Sequence, residues 1–136
     1  MDFSSIKNYK SLKEFLEDSK WQSFEELVGY IFQENGFNTK VNFVKMLQGR
    51  IRRQYDVLAE NFKYLFVVEC KHWGIGRYKS NALKNAAETH LERCKYLDTS
   101  KKIIPLLVTS NNEDIQFHKD VAIVSVDKLN SFLKDY

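Results

Sequence analysis

The stretch that most constrains this chain runs from Gln54 to Lys71, where two apolar segments carry charged residues at positions a buried strand does not tolerate without a reason. Ile51 to Ala59 holds Asp56 between Tyr55 and Val57-Leu58-Ala59. Tyr64-Leu65-Phe66-Val67-Val68-Glu69-Cys70-Lys71 is a β-branched and aromatic run that ends in Glu69 and Lys71. Alternation along a strand puts residues i and i+2 on one face, so Glu69 and Lys71 point the same way. Between the segments, Glu60-Asn61-Phe62-Lys63 is long enough for a hairpin turn that lays the Asp56 strand beside the Glu69 strand. An Asp, a Glu and a Lys then meet at one place on a sheet. Buried carboxylates are costly unless paired or bound to a metal. Two of them sharing a hard divalent cation, with an ammonium alongside, would account for the pattern. So would a rim ion pair between Glu69 and Lys71 with Asp56 in an exposed turn.

Asp56 followed by Glu69-Cys70-Lys71 at the end of a hydrophobic strand resembles the signature of the PD-(D/E)xK nuclease superfamily, the restriction-endonuclease-like fold. Tyr55 stands where the family's name has Pro. The resemblance implies a Mg²⁺-dependent endodeoxyribonuclease, with Mn²⁺ as a substitute ion. Asp56, Glu69 and the backbone carbonyl of Cys70 would be metal ligands, and Lys71 would be a catalytic residue that orients the attacking water or neutralises developing charge. The alternative is a nucleic-acid-binding or assembly subunit that keeps the fold without the chemistry; the intact Asp56, Glu69 and Lys71 argue against it.

The segment from Trp21 to Asn35 reads as a helix, with Phe24, Leu27, Val28 and Ile31 as its apolar stripe, a Ser23–Glu26 capping box and Gly36 as C-cap. Glu25, Gly29 and Phe32 lie along one line of it, and a glycine one turn from Glu25 allows close approach to a sheet. Phe24-Glu25-Glu26-Leu27-Val28 through Gly36-Phe37 resembles the first helix of the Mrr-like restriction endonucleases and archaeal Holliday junction resolvases, whose helix glutamate joins the metal site. The resemblance puts that role on Glu25. Read without it, Glu25 and Glu26 are solvated first-turn carboxylates favoured by the helix dipole.

Net charge is only +3, so any nucleic-acid footprint must be local. Lys45 to Arg53 supplies one: Lys45, Arg50, Arg52 and Arg53 surround a turn glycine with no acid among them, suited to phosphates or to solvent. A second candidate is the glycine-containing loop after Lys71, with Arg77 and Lys79, which would track a backbone or simply turn the chain. Its Gly-x-Gly lacks the rest of a dinucleotide fingerprint.

At 136 residues and 43% hydrophobic content the chain reads as a single domain spanning 1–136, with an accessory helix in 1–20. The absence of a signal-like opening or a membrane-length apolar run, together with only two cysteines, suits a reducing cytoplasm. Asn38 to Val44 alternates as a strand, Ser80 to about Tyr96 is a helix with Leu83, Ala87, Leu91 and Cys94 inward, and 103–109 and 121–126 are further strands before a helix capped by Asp127. The expectation is an α/β restriction-endonuclease-like core: a mixed five-stranded sheet, αβββαβ plus one strand, flanked by helices. DNA is the expected partner. A chain this small would reach both strands as a homodimer. One competing constellation is Cys70, His72, His90 and Cys94, formally a Cys₂His₂ zinc set, although its spacing fits no finger pattern and buried thiols beside imidazoles are more usual.

Overall fold

The computed structural model describes residues 3, 6–18, 21–46, 52–72, 80–110 and 115–136. Its elements run α1 (Tyr9–Asp18), α2 (Trp21–Glu34), β1 (Asn38–Met46), β2 (Arg52–Glu60), β3 (Tyr64–Lys71), α3 (Ser80–Cys94), β4 (Lys102–Thr109), β5 (Gln116–His118), β6 (Val121–Ser125) and α4 (Val126–Leu133). The strands form one mixed sheet in the order β1-β2-β3-β4-β6-β5. β1, β2 and β3 are an antiparallel meander, β4 and β6 run parallel to β3, and β5 returns antiparallel on the edge.

The expected αβββαβ order is present, and the sheet has six strands where five were expected. β5 escaped the sequence pattern because it is three residues long and two of them are exposed, too short for an alternation to show. Lys119, in a left-handed conformation at φ 54°, turns it back into β6.

Two helix starts also differ. α2 is already helical at Trp21, so Ser23 lies inside its first turn and Ser23–Glu26 is not the cap. α4 begins at Val126 with Ser125 in the N-cap position, which leaves Asp127 within the first turn as a favourable charge. The accessory helix is described over Tyr9–Asp18 and begins after Asn8, whose Oδ1 accepts the Ser11 N–H at 2.9 Å.

Gly36 ends α2 as expected: at φ 86° it lets the Phe37 N–H donate back to the Phe32 carbonyl and its own N–H to that of Gln33, a Schellman pair. Asn61 makes the β2–β3 turn, its side-chain oxygen accepting the N–H groups of Lys63 and Tyr64.

The sheet separates two apolar layers. On one side Phe24, Val28 and Phe32 of α2 pack with Val57, Ala59, Phe66, Val68 and Cys70. On the other Tyr55, Leu58, Leu65 and Val67 pack with Cys94 of α3. Gly29 sets the α2 contact: a Cβ there would stand 2.8 Å from Val41 Cγ2, so only glycine lets the helix lie this close to β1. That approach delivers Glu25, one turn earlier, to the end of the sheet.

Candidate active site

Val41 and Val57 pack on the α2 side, whereas Phe43 and Tyr55, two residues away on the same strands, pack on the α3 side. Simple alternation would put them on one face. The β1–β2 ribbon therefore turns over between them, although its register does not slip. The turnover falls on Asn42, whose φ is 57°, and on Asp56, the two residues that lie between the paired Val41↔Val57 and Phe43↔Tyr55. Asparagine is among the residues that tolerate this left-handed conformation best.

β2 and β3 separate at the same point. Their ladder ends at Val57↔Val68, while β3 continues pairing with β4 through Lys71. The Asp56 carboxylate takes over where the ladder stops, its Oδ2 accepting the Cys70 N–H at 2.8 Å. Glu69 and Lys71 point away from Cys70, and Lys71 Nζ lies 3.7 Å from Glu69 Oε1. The three residues read from the sequence as one group do come together, at a split between strands.

The split opens into a cleft of about 890 Å³ lined by Gln22, Glu25, Asn42, Arg52, Arg53, Asp56 and Arg93, among others. Glu25 is buried in its wall at 3% exposure, not solvated as the helix-dipole reading required. Burial raises the affinity of Asp56 for its proton above the ordinary 3.8, and the Glu69 charge adds to this; the Cys70 N–H, Lys71 and Arg93 oppose it. Burial pushes the Cys70 thiol well up, and the charges of Asp56, Glu25 and Glu69 all push the same way. Three carboxylates thus act on one point behind the strand end.

Among the described residues no three His, Cys, Asp or Glu side chains stand close enough to hold a metal between them. Glu25 therefore lines the cleft without closing a ready-made cage around Asp56 and Glu69. Two carboxylates with oxygen-only donors still suit Mg²⁺, which keeps several waters and binds through one or two carboxylates plus substrate phosphate. They suit a soft metal poorly.

The Cys₂His₂ set is not assembled. Cys70 belongs to the α2 layer and His72 lies against Phe24 of α2, whereas Cys94 and His90 lie on the α3 side. His90 is buried and its Nε2 donates to the Val67 carbonyl at 2.7 Å, so that nitrogen is already engaged; burial lowers its proton affinity, and the Val67 carbonyl opposes this. The Cys94 thiol is pushed up to about 12 by burial.

Of the basic residues, Arg52 and Arg53 line the cleft, and Arg53 also lies over the Tyr96 ring at 4.9 Å. Lys45 is elsewhere: its Nζ donates to the Tyr96 carbonyl at 2.8 Å and ties the ribbon to the end of α3. Arg50, Arg77 and Lys79 lie outside the described residues.

Sequence reasoning missed Arg93, Asn42 and Gln22. Arg93 comes from α3, lines the cleft, and places Nη1 3.8 Å from Glu69 Oε1. Its signal in the sequence was only its place next to the inward Cys94. Tyr55 braces this arginine, because its hydroxyl donates to the Arg93 carbonyl at 2.9 Å, a bond a proline could not make.

Comparison with known proteins adds the lineage. A relative from Archaeoglobus fulgidus, an uncharacterised protein, is 34% identical over 117 residues, covering 84% of this chain and 89% of the relative. Two solved structures share the fold with TM-scores of 0.56. One is a protein of unknown function, 22% identical over 66% of this chain, of which the match spans only 47%; the other is the small subunit of the heterodimeric restriction endonuclease R.BspD6I, 18% identical, covering 93% of this chain and 77% of that one. A restriction endonuclease family model, that of the Mrr catalytic domain, matches residues 16–97, which hold α2, the meander and α3. The match exceeds half the chain and contains every side chain of the cleft, and the chain belongs to the Mrr-like restriction endonuclease family, within the PD-(D/E)xK fold.

Proposed function

We propose that this protein is a metal-dependent endodeoxyribonuclease that hydrolyses DNA phosphodiester bonds, with Mg²⁺ as its ion and Mn²⁺ able to replace it. The observation that carries the reading is the coincidence of Asp56, Glu69 and Lys71 at the point where β2 and β3 part, at the edge of a cleft walled by Arg52, Arg53 and Arg93. Asp56 and Glu69, with the Cys70 carbonyl, would hold the ion, and Glu25 would act through a bound water. When bound, the ion supplies polarisation of the phosphate and a more acidic attacking water. Lys71 orients that water or offsets charge developing on the phosphate, a role that lies in the transition state. Arg52 and Arg53 would hold the flanking phosphates, with Arg50, Arg77 and Lys79 as further candidates from outside the described residues. Lys45 contributes by bracing the ribbon.

One cleft serves one strand, so a homodimer would supply the second. Being fold-related to a small subunit of a heterodimeric enzyme favours a second reading, in which this chain binds DNA or completes an assembly without cutting. The test is to incubate the pure protein with branched, nicked, linear and single-stranded DNA in Mg²⁺, Mn²⁺ or EDTA. The nuclease reading expects cleavage of at least one substrate with metal, none with EDTA, and none by Asp56→Asn. DNA binding without metal-dependent cleavage would favour the assembly subunit; cleavage that survives Asp56→Asn would overturn the assigned site.

A further inference from the structure

Glu69 Oε1 faces two cations at once, Lys71 Nζ at 3.7 Å and Arg93 Nη1 at 3.8 Å. Both are well beyond the roughly 2.7–2.9 Å of a tight charge-assisted bond, so neither cation is locked to the carboxylate. They differ in how they are placed. Lys71 sits on the same strand as Glu69, two residues on. Arg93 reaches over from α3, is the more exposed at 44% against 24%, and borders the cleft with Glu25, Asp56, Arg52 and Arg53. Its main chain is fixed by the Tyr55 hydroxyl on its carbonyl and by the buried Cys94 that follows it. The guanidinium, on a long stem from a fixed Cα, is the part free to swing.

The charges at this spot suggest what the swing does. Asp56, Glu69 and Glu25 carry at most three negative charges, and Lys71, Arg93, Arg52 and Arg53 already offset them. A divalent cation entering between the carboxylates would leave an excess of positive charge. A phosphate would restore the balance, and the planar guanidinium is the group best shaped to meet one through two parallel N–H bonds.

We propose that Arg93 is a charge-exchange residue: it stands beside Glu69 in the metal-free protein, is released when the ion takes that carboxylate, and then pairs with a phosphate of the strand in the cleft. Metal and DNA then strengthen each other's binding, and by linkage the effect is reciprocal. This inference rests on the metal-dependent nuclease reading and names the residue that couples its two ligands.

The test is calorimetric titration of Mg²⁺ into free wild type, Arg93→Ala and Arg93→Lys, with anisotropy measurements on a short phosphorothioate duplex, which slows cleavage, in EDTA and in Mg²⁺. Arg93→Ala is expected to bind Mg²⁺ roughly 3- to 10-fold more tightly, because a competing cation is gone, and Arg93→Lys about as wild type does. On the duplex, Mg²⁺ tightens binding by wild type, and Arg93→Ala loses most of that gain, with a salt slope in Mg²⁺ smaller by about one. If Arg93→Ala destabilises the fold in a thermal melt, Arg93→Gln, which keeps the stem without the charge, carries the same expectation. Mg²⁺ affinity unchanged or weakened in the neutral variants, or an undiminished Mg²⁺-dependent gain on DNA, would reduce Arg93 to a prop for Glu69 and overturn the proposal while leaving the metal site intact. Wild type that binds no Mg²⁺ would overturn both this proposal and the reading beneath it.

Discussion

Asp56 holds its proton more tightly than a free aspartate because it is partly withdrawn from water beside a second acid, Glu69. A raised value in the folded state means that the contribution of Asp56 to stability is fully present below the ordinary 3.8 and is lost as pH rises through the raised value. At neutral pH, without metal, its charge is a burden on the fold. Asp56→Asn removes that burden and keeps an oxygen for the Cys70 N–H. In EDTA the variant should melt above wild type at neutral pH, with the gap closing in acid. His90, whose proton affinity burial lowers, titrates in both proteins and cancels from the difference. Added Mg²⁺ should raise the wild-type melting temperature and not that of the variant. A gap that does not change with pH would mean that the Asp56 carboxylate is not under this strain. Lys71→Ala should bind Mg²⁺ no more weakly than wild type in calorimetry, since it too removes a cation from beside Glu69, and lower turnover about 10²-fold, since the proposed role is in the transition state. Asp56, Glu69 and Lys71 were legible in the sequence because a hairpin and a two-residue spacing, both local, bring them together. Arg93 was not, because its link to Tyr55 spans 38 residues and no local pattern carries it.

Most elements could be read from period and punctuation: β3 falls on Tyr64–Lys71 as expected, and the Gly36 cap and the Asn61 turn are matters of neighbouring residues. The ribbon turnover could not. The polar–apolar alternation of β1 runs on unbroken through Asn42 while the faces exchange, so the sequence looks like an ordinary strand. The turnover is nevertheless what aims Asp56 out of the sheet. Asn42→Gly, which accepts a positive φ freely, should keep stability near wild type and retain Mg²⁺ binding. Asn42→Val, β-branched and ill-suited to that conformation, should cost about 1–2 kcal/mol and weaken Mg²⁺ binding. Equal behaviour of the two variants in denaturant melts and calorimetry would show that the left-handed residue is incidental. Gly29→Ala tests the other support of the cleft. A gain in helix propensity of up to about 1 kcal/mol competes with a Cβ 2.8 Å from the stiff Val41 side chain, and overpacking at about 1–3 kcal/mol should win. Net destabilisation in a denaturant melt is expected.

At the scale of the whole molecule the sheet has two ends with different duties. The parallel strands β4 and β6 are buried on both faces and anchor the helices, while the meander projects its far end, with Arg52 and Arg53, past α3 to form one wall of the cleft. The sequence conveyed this polarity through its apolar β4 run and its basic cluster. It did not convey that Lys45 is tied down or that β5 closes the far edge, because both depend on which elements meet in space. On the proposed nuclease reading, a cleft that takes one strand at a time cuts one strand per encounter, and a double-strand break then needs two copies acting together. On a supercoiled plasmid, dilute protein in Mg²⁺ should therefore give nicked circles first, and linear product should rise more steeply than first order in protein concentration. Doping wild type with excess Asp56→Asn should convert linear product to nicked circles, since mixed pairs carry one working cleft. Linear product that stays in fixed proportion to nicks, at every dilution and at every dose of the variant, would show that a single chain cuts both strands and would remove the need for a homodimer.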